Sequence, residues 1–116
     1  MAKLAEWYRI HFDDRAVVRD VSPPSGEPWR DEFAWTDVVR VCFRAGTVLE
    51  SDELYIFTSV RPESYVIPTE ADGGAALVGE IVRRRLLPAD LLIEAALSVD
   101  RLFCWPSIKG ANEKTR

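Results

Sequence analysis

Apolar residues recur along the chain with two different periods, and the change falls near Asp72. Before it the spacing is two. Tyr8, Ile10 and Phe12 alternate with Arg9 and His11, Asp13-Asp14 interrupts, and Ala16 to Val21 resumes an extended pattern, which predicts an opening hairpin. Ser22 to Pro28 holds three prolines and a glycine and reads as a loop that carries on to Trp29 and Arg30. Phe33 and Trp35 share one register. Val39, Val41 and Phe43 then face one side with Arg40, Cys42 and Arg44 on the other, and Asp37 marks a bend between the two registers. Leu54 to Val60 predicts another strand, Arg61-Pro62-Glu63 a turn, and Ser64 to Ile67 a return strand closed by Pro68.

After Asp72-Gly73-Gly74 the period lengthens to that of a helix. Leu77, Val78, Ile81, Val82 and Leu86 cluster on one face, with Asp72 as a capping or pre-helix residue. Arg83 and Arg84 are expected to face solvent. Pro88 suits the first turn of a second helix whose apolar face is Leu91, Leu92, Ala95, Ala96 and Val99. Leu102 to Pro106 reads as an apolar tail docked on the body, and residues 109–116 as a polar end that frays. Strands first and helices last predict an α+β fold, a curved antiparallel sheet or open barrel of about five to seven strands followed by two C-terminal helices.

The segments Phe33 to Val41, Leu54 to Phe57 and Tyr65 to Pro68, followed by a helix, resemble the second half of bacterial pleckstrin-homology-like domains. The resemblance covers about residues 7 to 86. It implies a pleckstrin-homology-like open barrel capped by a helix. The second helical segment after Pro88 departs from that pattern, and so does the lack of the membrane helices that often accompany such domains. Lipid head-group recognition does not carry over, because Asp13-Asp14 occupies the first hairpin where a phosphate binder needs cations.

The length of 116 residues fits one domain spanning 1–116. Fifteen Lys plus Arg against nineteen Asp plus Glu give a net charge of −4, which speaks against a nucleic-acid partner. No apolar stretch approaches a membrane span, and the start Met1 to Trp7 does not resemble a secretory signal, so a cytoplasmic protein without a membrane partner is expected. In that compartment Cys42 and Cys104, far apart and outside any C-x-x-C pair, are expected as free thiols.

Candidate chemistry is sparse. Arg40 and Arg44 flank Cys42 on one strand face, where cations could lower a thiol pKa, but His11 is the sole imidazole and nothing local brings it to Cys42. Glu63, Glu70 and Asp72 gather carboxylates that capping and solvation also explain. Arg83-Arg84-Arg85 fans around a helix, and Glu80 stands one turn before Arg84 as an ion-pair partner. One His and two Cys make no four-ligand zinc site, so neither metal nor cofactor is expected.

The leading expectation is a small cytosolic, non-enzymatic module that binds a protein or peptide, with Trp29 and Arg30 in the proline loop and Arg40, Cys42 and Arg44 on the strand as binding residues. Trp35 is assigned to the core. The rival is a small enzyme or ligand-binding protein using Cys42, Arg40 and Arg44 or the carboxylates near Glu63 and Glu70. Pairing of two copies into a homodimer stays open.

Overall fold

The computed structural model describes residues 3–106 and is α+β, with seven strands in two antiparallel sheets rather than one closed barrel. The expected frayed end, 109–116, lies outside the described residues. A short helix α1 (Leu4–Trp7) leads into the first sheet, a meander of β1 (Tyr8–Phe12), β2 (Ala16–Val21) and β3 (Trp29–Ala34). Its first turn forms because the Asp13 carboxylate accepts the backbone N–H groups of Arg15 and Ala16 at 2.8 and 2.9 Å. Those two bonds also hold the Asp13 pKa below the ordinary carboxylate value.

A 3-10 turn at Trp35–Asp37 carries the chain into the second sheet, ordered β6-β5-β4-β7. It contains β4 (Val38–Ala45), β5 (Glu53–Thr58), β6 (Arg61–Pro68) and β7 (Arg101–Trp105). The expected bend at Asp37 is this turn, and the pairing of β4 with β5 shifts register between Val38 and Arg40. Two local expectations are corrected. Trp29 and Arg30 do not lie in a loop but open β3, opposite Val21 and Asp20, because the ladder with β2 extends to the end of the proline segment. Arg61 and Pro62 belong to β6, and the turn is Ser59-Val60; Pro62 is tolerated because β6 is paired by β5 alone. Asp72 takes the pre-helix place and not the cap.

Instead, Asp72 pairs with β1: Ile10 N–H donates to the Asp72 carbonyl at 2.7 Å, and Asp72 N–H donates to the Tyr8 carbonyl at 2.9 Å. Gly73 then caps α2 (Gly74–Arg83) at φ +85°, where a β-carbon would collide with the Ile10 carbonyl oxygen. Leu77 and Ile81 are fully buried and Val78 and Val82 half-buried, so α2 seals the core with its predicted face. The helix ends in a Schellman motif with Arg85 in the left-handed region, Leu86 N–H bonded to the Ile81 carbonyl at 3.0 Å and Arg85 N–H to Val82 at 2.9 Å.

Pro88 immediately precedes α3 (Ala89–Ala96), which buries Ala95 and half-buries Leu91 and Leu92. Ala96 and Val99, expected on that buried face, are exposed, because α3 ends before Val99 and turns Ala96 outward. The order of strands first and helices last also needs correction: both helices precede a final strand. The apolar tail is β7, antiparallel to β4 with Val41 opposite Trp105 and Ala45 opposite Arg101. In that register Cys42 lies opposite Cys104, 4.0 Å away between Cα atoms, and the two form a disulfide. The expectation of two free thiols is overturned, since the ladder brings together residues that are 62 positions apart in sequence.

Candidate functional site

Trp29 stands beside a polar seam between the sheets, while Arg30, its neighbour on β3, is exposed and faces Asp20 at 3.9 Å. Arg19, buried on the inner face of β2, makes two bonds to the Asp31 carboxylate at 2.9 and 2.6 Å. It also donates to the Tyr8 hydroxyl at 3.2 Å and to the Val66 carbonyl at 2.9 Å, and Tyr8 donates to the same carbonyl at 2.7 Å. Burial works against the Arg19 cation, yet the bonds to Asp31 and Tyr8 outweigh it and raise its pKa. Burial likewise raises the pKa of Tyr8. The guanidinium stacks on Trp29 at 4.8 Å and on Tyr65 at 5.2 Å, and Arg61 covers Tyr65 at 3.6 Å. Trp29 is thus held from one side by Arg19 and by an edge-on contact with Tyr8, although 41% of it stays exposed.

On the second sheet, Arg40, Cys42 and Arg44 share the outer face of β4 as the alternation predicts. Cys42 offers no thiol because it is bonded to Cys104. Arg44 is held by Glu50 at 3.2 Å and Asp100 at 2.9 Å, and hydrogen bonding to Glu50 raises its pKa. Arg40 donates to the Pro106 carbonyl at 3.1 Å. Tyr55 and Phe57 of β5 join the disulfide and Leu102 around a shallow hollow of about 360 Å³. The Tyr55 pKa is raised by burial and by its hydrogen bond to Glu53 at 2.9 Å.

The other candidates are not brought together. His11 is exposed on β1 and lines a hollow with Asp13 and Glu32 that includes neither Cys42 nor the carboxylates of β6. Glu63 and Glu70 are both exposed, and no group of three or more His, Cys, Asp or Glu among the described residues is placed to hold a metal ion. The arginine run diverges. Arg83 points to solvent, whereas Arg84 lies over Trp35 at 4.2 Å and bonds Glu80 at 2.7 Å, leaving its side chain only 22% exposed. The expectation that Arg84 faces solvent is corrected: Trp35, buried in the core, presents a ring face on which the guanidinium rests. Hydrogen bonding from Arg83, reinforced by Arg84, lowers the Glu80 pKa to about 2.

The surface that stands out is one the sequence did not mark. Ile93 is 65% exposed, Leu97 85%, Val99 65%, Leu102 57% and Trp105 44%; these five are half of the large apolar residues exposed among the described residues, within thirteen positions of chain. They belong to α3, β7 and their connection. Between the two elements runs a groove of about 510 Å³, lined on one side by Pro88, Asp90 and Leu91 and on the other by the consecutive residues Leu102 to Trp105. Consecutive lining means that the groove follows the strand's own edge.

That edge is unpaired among the described residues, since β7 is the last strand of its sheet. A Cα separation of 4.0 Å marks Cys42 and Cys104 as a non-hydrogen-bonded pair of the ladder. It follows that Phe103 and Trp105 bond β4, while the N–H and C=O groups of Leu102 and Cys104 point into the groove. The signal available in the sequence was Leu102 to Trp105 itself, an apolar run that reads equally as a docked tail. No protein-family model, no curated protein and no solved structure matches the chain, so its function rests on this geometry.

Proposed function

We propose that the chain is a small non-enzymatic protein-binding domain that receives an extended segment of another polypeptide along β7, in the groove beside α3. The observation that carries this reading is a strand edge unpaired among the described residues and flanked by Leu102, Trp105 and Ile93, all exposed, where strand addition supplies main-chain hydrogen bonds and alternate side chains fill the groove. Arg40, Cys42 and Arg44 border this edge through the β4 ladder and form its outer rim; Trp29 packs on the seam between the sheets, and Arg30 stays on the exposed face of β3. The two meanders followed by α2 support a pleckstrin-homology-like architecture, to which α3 and β7 add the binding edge.

Among the described residues no helix is long and apolar enough to cross a membrane. A cytoplasmic setting goes with this reading only if the Cys42–Cys104 pair is reduced there, because reducing compartments keep thiols apart. Strand addition then rests on the β4–β7 ladder alone.

Selection of extended peptides from a displayed random library on the oxidised protein tests the proposal. Leu102→Pro removes an amide that points into the groove and leaves the ladder to β4 intact. The selected peptides are expected to lose roughly tenfold or more in affinity for this variant, at an unchanged melting temperature. Equal affinity for both proteins contradicts strand addition at β7.

A further inference from the structure

We infer that the polypeptide docked along β7 ends there, its free C-terminal carboxylate held by Arg40 and Arg85. This rests on the docking role proposed for the strand and adds the class of segment it takes, a C-terminus whose last residue is apolar. A cleft of about 110 Å³ lies between the start of β4 and the turn that ends α2. It is lined by the first four residues of β4, by Arg85 and Leu86, and by Trp105 and Pro106. Exposed Val39 and Trp105 and half-buried Val38 and Leu86 supply hydrocarbon, Arg40 and Arg85 supply charge, and no carboxylate lines the cleft.

Two cations thus share one small apolar cleft in a chain whose net charge is −4. The ion pairs among the described residues engage Arg19, Arg30, Arg44, Arg83, Arg84 and Arg101, and neither Arg40 nor Arg85 is one of them. Arg40 is held in place by the bond from its Nε to the Pro106 carbonyl at 3.1 Å, which leaves its two terminal nitrogens as donors. Arg85 stands where the backbone asks for something else. It occupies the left-handed position that ends α2, at φ +61°, which favours glycine or asparagine. Capping therefore does not account for an arginine there, whereas its place in the cleft wall does.

An anion between the two guanidinium groups relieves their repulsion and accepts their forked N–H donors. The apolar walls add a second requirement, hydrocarbon within a few ångströms of that anion. In a polypeptide only a C-terminal residue carries a carboxylate on the same α-carbon as an apolar side chain. Trp105 is a wall of both this cleft and the groove along β7, so a segment lying parallel to β7 delivers its last residue past Trp105. Asp90, the carboxylate of the groove, does not line the cleft.

Selection on the oxidised full-length chain from a random peptide library displayed with free C-termini supplies the probe, which is then synthesised as the free acid and as the C-terminal amide. The acid is expected to bind roughly tenfold or more tightly than the amide, and Arg85→Gly and Arg40→Gln should each reduce that preference to about twofold or less. Arg85→Gly should melt no lower than the wild type, because glycine suits the left-handed position, so its effect on binding reads the side chain alone. Equal binding of acid and amide overturns the inference, and if Leu102→Pro still weakens both, docking along β7 stands without a terminus. A preference for the acid that survives both arginine substitutions places the carboxylate elsewhere and also overturns it. A preference that needs both arginines but ignores Leu102→Pro upholds capture of the terminus and contradicts strand addition. N-acetyl-leucine binding as tightly as the peptide makes the cleft a site for small acids and overturns the inference; a library that yields no binder removes both readings.

Discussion

Around Arg19 a charge is taken out of water and every group it meets is a partner, whereas along α3 and β7 apolar side chains are left in water with no partner among the described residues. The two regions break the inside-outside rule in opposite directions, and only one of the exceptions is compensated. Asp31, Tyr8 and the Val66 carbonyl repay the desolvation of the guanidinium, so the seam is explained by folding alone. Nothing within the described residues repays the exposure of Ile93, Leu97 and Leu102. The proposed docking along β7 rests on that uncompensated exception.

The largest effect is expected at the seam. Arg19→Ala strands Asp31 and leaves the Val66 carbonyl with Tyr8 alone, and should lower stability by about 3 to 5 kcal/mol in denaturant unfolding, toward the lower end because Asp31 keeps some contact with water. A loss under 1 kcal/mol would show that the seam is decorative and erase the contrast. Next comes the disulfide. Reduction, or Cys104→Ser, opens a crosslink between residues 62 apart and should cost about 2 to 4 kcal/mol. It should also release β7 before the first sheet, so protection of Phe103 in hydrogen exchange falls further than that of Val17.

A third, smaller effect concerns the Glu80 group beside Trp35. The folded-state pKa of Glu80, about 2, lies below its ordinary value of 4.5, so the carboxylate contributes stability above pH 4.5 and loses it as the pH falls toward 2. The difference in unfolding free energy between the wild type and Glu80→Gln should therefore be largest near neutral pH, shrink below pH 4.5 and vanish only as the pH falls through about 2. A difference that persists there would mean that Arg83 and Arg84 do not act on Glu80 as an ionised carboxylate. The smallest effect belongs to the edge: Leu97→Asp should change monomer stability by no more than about 0.5 kcal/mol, because the side chain already lies in water. A large loss would place Leu97 in the core and remove the apolar half of the comparison.

Much of the body was legible because periodicity reports burial. Ile10, Val17, Val41, Phe43, Leu54 and Ile56 alternate into the core, and Leu77 and Ile81 seal it from α2. The site was not legible, for three physical reasons. Leu102 to Trp105 is too short and too continuously apolar to distinguish a strand from a docked tail. The pairing of Cys42 with Cys104 depends on a ladder between distant segments, which no local spacing encodes. Arg19 sits at an inward-facing position of β2 between Val17 and Val21, so the alternation did place a charge inside, but its partners come from three other strands. Trp29 stood out for its residue type alone, and the contacts that fix it to Arg19 and Tyr8 are likewise between strands.

The central claim is that β7 offers its outer edge to another chain, and the amides of that strand report it directly. Hydrogen exchange on the oxidised protein, resolved to single amides and followed with and without a peptide selected from the displayed library, separates the two sides of the strand. Phe103 and Trp105, bonded to β4, should exchange slowly in both states, while Leu102 and Cys104 should exchange quickly in the free protein and slow down when the peptide is bound. Leu102 and Cys104 amides already protected in the free protein, or still fast with the peptide bound, would contradict the account.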